Sequence, residues 1–219
     1  MRRIIFVLVA GVVQAALIAG GAQAGTLDFF DAFDTTRWTE TDHNLGRSHL
    51  DPNNVNVNNG NLAIKLPART TNGGEVMSND LYGFGSYSAR LKLPNAPSSI
   101  TGFFLYEPPD YQSEIDVELY NDSSQRIMFT TYANGAQTHT QTMQLPFDPT
   151  AGYHEYRFDY AFDSLSFYVD GQPMKTWTDG LPQNSMRIYV NAWFPTWLDG
   201  KRPRTDRFLH VDSIGYAQQ

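Results

Sequence analysis

The chain has 219 residues, 41% of them hydrophobic and 14% aromatic, with no cysteine and a formal charge of −7. That length suits one all-β domain and falls short of two. The acidic balance denies nucleic acid the basic footprint it needs, and the lack of cysteine excludes thiol catalysis, cysteine-ligated metals and a disulfide framework.

Residues 1–24 read as a secretory signal peptide: Arg2-Arg3, an apolar run beginning at Ile4, and Ala22-Gln23-Ala24 as a small-residue cleavage site. The run is interrupted by Gln14 and is shorter than the roughly 20 residues a spanning helix needs. A secreted domain over residues 25–219 is expected, with no membrane partner once the signal is removed; loss of Arg2 and Arg3 takes the charge to −9. Phe29, Phe30, Phe33 and Trp38 then offer early core aromatics, and the polar stretch Asp42 to Asn54 reads as a loop.

Strand candidates follow near Asn61–Leu66, Ser86–Leu93, Ile100–Tyr106, Glu114–Tyr120, Ile127–Tyr132, Thr138–Leu145, Tyr156–Tyr160, Leu165–Val169, Ile188–Trp193 and Phe208–Tyr216, punctuated by Gly, Pro, Asn and Asp. Leu165, Phe167 and Val169 alternate cleanly before Asp170-Gly171, a pair suited to a tight hairpin turn. No segment of the 25–219 region has a helical period, so the fold class is all-β, an antiparallel sandwich.

The stretch Glu114-Ile115-Asp116-Val117-Glu118 carries the chemistry. In a strand, Glu114, Asp116 and Glu118 share one face, while Ile115 and Val117 share the other with Leu119. Three acids about 7 Å apart repel one another and are depleted in ordinary strands, so the row needs a reason. Retaining glycoside hydrolysis supplies one, because it uses a carboxylate nucleophile and a protonated carboxylic acid about 5 to 5.5 Å apart. The Cα atoms of residues four apart lie about 13 Å from each other, and two glutamates leaning inward close that gap. Asp116 would share a hydrogen bond with a neighbour and separate the two glutamate pKa values. A solvated acidic strand is the other reading of these five residues.

The five residues also resemble the signature of glycoside hydrolase family 16, the laminarinase, lichenase and xyloglucan transglycosylase group. The resemblance runs from about Phe29 to Tyr216. It includes Gly74-Glu75, Tyr82-Gly83-Phe84-Gly85-Ser86-Tyr87, Arg90, Thr131-Tyr132-Ala133-Asn134-Gly135, Tyr153 to Asp159, Tyr168-Val169-Asp170-Gly171 and Asn191-Ala192-Trp193, in that order. It implies a jelly-roll sandwich with a concave substrate groove and a monomeric endo-acting enzyme on β-glucan-type polysaccharides. Glu114 would be the nucleophile, Glu118 the general acid/base and Asp116 the assisting carboxylate. Glu75 would contact sugar hydroxyls, Tyr132 and Asn191 would line the groove, and Trp193 would offer a stacking platform. No cofactor is implied for catalysis, but a structural Ca²⁺ is, held by Ala32, Gly60 and Asp212.

The chain departs from the lichenase pattern at Met77, where an Arg is usual, and at Gln112, where a Trp is usual. Gln112 would thus face substrate differently, and Arg47 or His49 would replace lost sugar contacts. His154 opens a strand in the family pattern and is structural, while His139 and His210 lack partners at zinc-ligand spacing. A transglycosylase would use the same acids, whereas a lectin on this fold would not need them.

Overall fold

The computed structural model describes residues 25–218, so the signal peptide expected over residues 1–24 lies outside the described residues. In chain order the strands are β1 (Thr26–Asp28), β2 (Trp38–Glu40), β3 (His43–Leu45), β4 (Ser48–Leu50), β5 (Val55–Asn58), β6 (Asn61–Leu66), β7 (Gly74–Ser78), β8 (Gly85–Lys92), β9 (Ile100–Glu107), β10 (Ser113–Tyr120), β11 (Arg126–Ala133), β12 (Ala136–Gln144), β13 (His154–Tyr160), β14 (Leu165–Val169), β15 (Gln172–Trp177), β16 (Arg187–Trp193) and β17 (Arg207–Gln218). They form two large antiparallel sheets, with β3 and β4 paired separately. One runs β15-β14-β13-β8-β17-β6-β5 with β1 paired to β17; the other runs β12-β11-β10-β9-β16-β7-β2. This is the expected all-β jelly-roll sandwich.

Alternation explains why the sheets stack. Strand β10 turns Ile115, Val117 and Leu119 inward, all at most 1% exposed, and β14 does the same with Leu165, Phe167 and Val169. Aromatic rings lock the layers together: Phe129 of β11 stacks on Phe167 at 4.3 Å, and Phe103 of β9 packs on Phe158 of β13 at 5.3 Å. Such pairs contribute about 0.5–1.5 kcal/mol beyond their buried area. The Asp170-Gly171 turn has both residues at positive φ, 48° and 73°, the geometry a two-residue hairpin with this twist requires.

Two expectations change. The polar stretch from Asp42 to Asn54 is not a plain loop; it holds the β3–β4 hairpin and a 3₁₀ turn at Pro52–Asn54. Gly46 adopts φ +58° at the tip, and Leu50 anchors the hairpin with no exposure. Phe29 is 58% exposed while Phe30, just past β1 at φ 54°, and Trp38 are buried.

Candidate active site

The face of the seven-stranded sheet that turns away from the core carries a groove of about 960 Å³, and β10 crosses its floor. Register fixes what flanks each acid: Glu114 lies between Tyr106 and Tyr132, Asp116 between Phe104 and Thr130, and Glu118 between Gly102 and Met128. Gly102 has to be small, since a Cβ there would come within 2.7 Å of Asn191 Oδ1. The three carboxylates therefore sit in a row, as strand parity requires, with mostly apolar or neutral neighbours.

Their electrostatics follow from that setting. Burial pushes Glu114 up to about 7; a hydrogen bond with Asp116 opposes the rise and Asp110 adds to it. Burial, together with the Glu114 charge, takes Glu118 to about 7 as well. Asp116 is raised well above the ordinary carboxylate range, first by burial and then by the charges of Glu114 and Glu118 and its hydrogen bond to Glu114. Asp116 is thus the member that keeps its proton and donates it to Glu114, and that bond favours the ionised form of Glu114. Like charges this close titrate as one coupled set.

Aromatic residues build the walls. Near Glu114, Tyr106 donates its hydroxyl to Asp110 at 2.6 Å, and the rings of Tyr111 and Tyr132 lie 5.3 Å apart. Phe104 stacks on Tyr189 at 4.9 Å. Toward the Glu118 end, Trp197 meets the Tyr120 ring edge-on at 5.9 Å and is half exposed. Trp193 lines the groove, and the Gly46 backbone presses on its ring so closely that a Cβ would come within 2.6 Å. The turn glycine therefore fixes the angle of Trp193.

The groove acid Glu75 lines the groove and is already hydrogen-bonded within the protein. It is 2% exposed. Its Oε1 accepts from Thr41 at 2.8 Å and faces His43 Nε2 at 3.0 Å, while Oε2 accepts from Asn191 Nδ2 at 2.8 Å. Asn191 in turn accepts from the Gly102 backbone N–H at 3.1 Å. Glu75 and Asn191 line the groove and are hydrogen-bonded to one another and to neighbours.

Three residues expected at the sugar lie outside the groove lining. Arg47 is a clamp: its guanidinium donates to the carbonyls of Pro195 (3.0 Å), Ser98 (3.1 Å) and Leu198 (2.6 Å), tying the β3–β4 hairpin to the loop after β16. A guanidinium has five N–H donors in a fixed fork, and carbonyls converging on that fork hold it outside the groove. Gln112 does not line the groove, because its neighbour Tyr111, with φ 65°, takes the wall position. His49 pairs with Asp42 at 3.3 Å.

Sequence reasoning missed His43, Tyr106, Asp110, Tyr111 and Trp197, all of which line the groove. Tyr111 could have been found beside Gln112. His43 and Trp197 come from a short hairpin and a loop that no periodicity announces.

The positions expected to bind calcium are set by the register of the other sheet. Strand β17 pairs with β6 through Val211 and Leu62, which sets Asp212 near the Asn59-Gly60 turn, and Asp28 of β1 pairs with Ile214, four residues before Ala32. Two carbonyls and a carboxylate suit a hard cation. The Asp212 carboxylate, however, already pairs with Arg90 at 3.0 Å, so a cation there would have to displace a guanidinium. Asp212 is thus already matched by one positive charge.

The family model for glycosyl hydrolases family 16 matches residues 44–206. The beta-glucanase of Bacillus subtilis (strain 168) is 28% identical over 239 aligned positions, spanning 100% of this chain and 99% of its own length. The beta-glucanase of Paenibacillus polymyxa is 32% identical over 176 positions, 75% of this chain and 74% of that protein. The solved structure of Bacillus licheniformis beta-glucanase superposes with a TM-score of 0.81 at 28% identity, over 92% of this chain and 100% of that one.

Proposed function

This chain belongs to glycosyl hydrolases family 16 and is a glycoside hydrolase; on that premise we propose that it is a secreted, endo-acting, retaining enzyme that cleaves neutral β-1,3- or mixed β-1,3-1,4-glucans. The observation that carries the reading is the row Glu114, Asp116 and Glu118, raised by burial at the floor of an open, aromatic-walled groove. An open groove admits the middle of a polymer, and aromatic walls stack on pyranose C–H faces. No Lys or Arg lines it among the described residues, which favours a neutral polysaccharide over a sulfated one.

In this mechanism Glu114, kept ionised by the Asp116 proton, attacks the anomeric carbon. Glu118 gives its proton to the departing glycosidic oxygen. The resulting glycosyl ester is opened by water, whose proton returns to Glu118 while Glu114 leaves, so two inversions give retention. Tyr132 and Trp193 flank the reacting sugar chain. The enzyme acts as a monomer, without nucleic-acid or membrane partners; among the described residues no helix is long and apolar enough to cross a membrane. A structural calcium at Ala32, Gly60 and Asp212 belongs to the same proposal. Product-linkage and early-anomer analysis by NMR, on a panel of β-1,3-, mixed-linkage and β-1,4-glucans and galactans, tests it. Early β-anomers from the first two substrates support the reading. Early α-anomers, or cleavage confined to galactans, overturn it.

A further inference from the structure

His43 is the one basic side chain among the described residues that line the groove. Its side chain is 46% exposed, whereas the Glu75 side chain beneath it is 3% exposed. Both ring nitrogens meet acceptors: Nε2 lies 3.0 Å from Glu75 Oε1, and Nδ1 lies 3.3 Å from the Asn44 carbonyl. A neutral imidazole has one N–H, so this setting favours the doubly protonated ring. The Asn44 contact is long and exposed, which leaves the Nδ1 proton available to a better acceptor.

Glu75 has no comparable freedom. Thr41, His43 and Asn191 take three of the roughly four acceptor positions of its carboxylate, and breaking any of those bonds beneath the ring would leave a buried polar atom unsatisfied. We propose that His43 is a specificity residue of this groove: oriented by Glu75, it donates from Nδ1 to a hydroxyl or ring oxygen of the bound glucan. The proposal rests on the neutral-glucan reading above and assigns one end of that site.

The groups facing His43 decide how this contact responds to pH. Glu75 reaches it from β7, Asp42 lies beside it in its own segment, and His49 of β4 is engaged with that Asp42. The hydrogen bond to Glu75 is the first cause that lifts the His43 pKa above 6.5, opposed by partial burial and assisted by the Glu75 and Asp42 charges. The donated proton is therefore held to higher pH than on a free imidazole and is lost as the pH climbs. Bond breaking depends on the β10 carboxylates, so His43 acts on substrate affinity and not on turnover.

The test uses the full-length enzyme. Binding of a mixed-linkage glucan tetrasaccharide is measured by calorimetry in the Glu118→Gln background, with and without His43→Gln, from pH 5.5 to 8.5. The introduced glutamine keeps a donor for Glu75 but does not titrate. The expected result is affinity about tenfold weaker for the double variant at pH 5.5, the loss typical of a hydrogen bond from a charged donor. That gap should close by pH 8.5. Titration of Glu114 is common to both proteins and cancels in the difference. In otherwise wild-type enzyme, His43→Gln should raise KM by a similar factor and hold kcat within about twofold. Superimposable binding curves, or a fall in kcat at constant KM, overturn the role of His43. Tetrasaccharide binding by neither protein at either pH overturns the glucan reading and this inference with it.

Discussion

Two carboxylate sites share the groove and are built on opposite plans. Glu75 is buried and met by three donors, Thr41, His43 and Asn191, so its charge is matched before any ligand arrives. Glu114, Asp116 and Glu118 are held in place by β10, yet they face each other, Asp110 and neutral side chains, with no Lys or Arg lining their floor among the described residues. A matched acid supports structure, whereas an unmatched row stores a proton it is ready to exchange. The difference arises from strand parity: the β10 acids are each other's neighbours, and Glu75 is opposed across β7 and β16 by Asn191.

The largest effects should come from separating the two outer acids of the row. Glu114→Gly removes the nucleophile, so activity on glucan should fall by about four orders of magnitude. Azide entering the vacated space should then give an α-glycosyl azide. Glu118→Ala removes the proton donor, with a loss of about 10²–10⁴ on polysaccharide. Its first step should survive on aryl glycosides, whose phenol leaves unaided, and azide attack on the persisting intermediate should give the β-anomer. NMR of the two products checks both roles, and the same anomer from both variants would contradict the assignment.

The unequal legibility of the two sites has the same physical origin. Period-2 alternation writes Ile115, Val117 and Leu119 against Glu114, Asp116 and Glu118 within a single short strand, so both the strand and its active face can be read locally. The clean alternation before Asp170-Gly171 makes that hairpin equally plain. The partners of Glu75 come from β2's end, β3 and β16, more than 30 residues away on either side, and local pattern carries no trace of such pairing. Arg47 looks like a sugar ligand in the sequence because a lone loop arginine gives no hint that three backbone carbonyls converge on it. The hairpin of β3 and β4 is hidden there because three-residue strands are too short to show a period.

Stability should distinguish the matched acid from the unmatched ones by sign. Glu75→Ala strands Asn191 Nδ2 and the Thr41 hydroxyl and should destabilise the fold by about 2–3 kcal/mol. Glu118→Gln should do the reverse at neutral and alkaline pH. The Glu118 carboxyl is raised from 4.5 to about 7 in the fold, so the folded chain holds its proton where the unfolded chain has released it. Its contribution is then full below about pH 4.5 and is lost as pH climbs through 7. Glu118→Gln removes that loss, so thermal melts should match the parent at about pH 4 and exceed it by about 1–3 kcal/mol at about pH 8. A parent whose melting temperature climbs between about pH 5 and 8, with no gain from Glu118→Gln, would show that the row is matched after all.

The smallest effect concerns Asp212, a third acid whose partner is known, and it tests whether matching by Arg90 excludes a metal. Arg90 also lies over the Tyr153 ring, with its guanidinium carbon 4.8 Å from the centroid, so it is held from two sides. A cation binding at Ala32, Gly60 and Asp212 must displace that guanidinium. A millimolar dissociation constant is then the reasonable expectation, at the weak end for oxygen-ligated calcium. At tenfold excess over such a constant the gain is about 1.4 kcal/mol, or a rise of about 3–6 °C in melting temperature for a domain of this size. A chelator should reverse the rise, and Asp212→Ala should abolish it. Arg90→Ala sharpens the question, because it removes the competitor and leaves the carboxylate: calcium should then stabilise the variant more than the parent. Melting curves that ignore calcium in the parent and in Arg90→Ala alike would mean that the three oxygens do not converge on a cation, and that the ion pair alone explains why an acid stands at position 212.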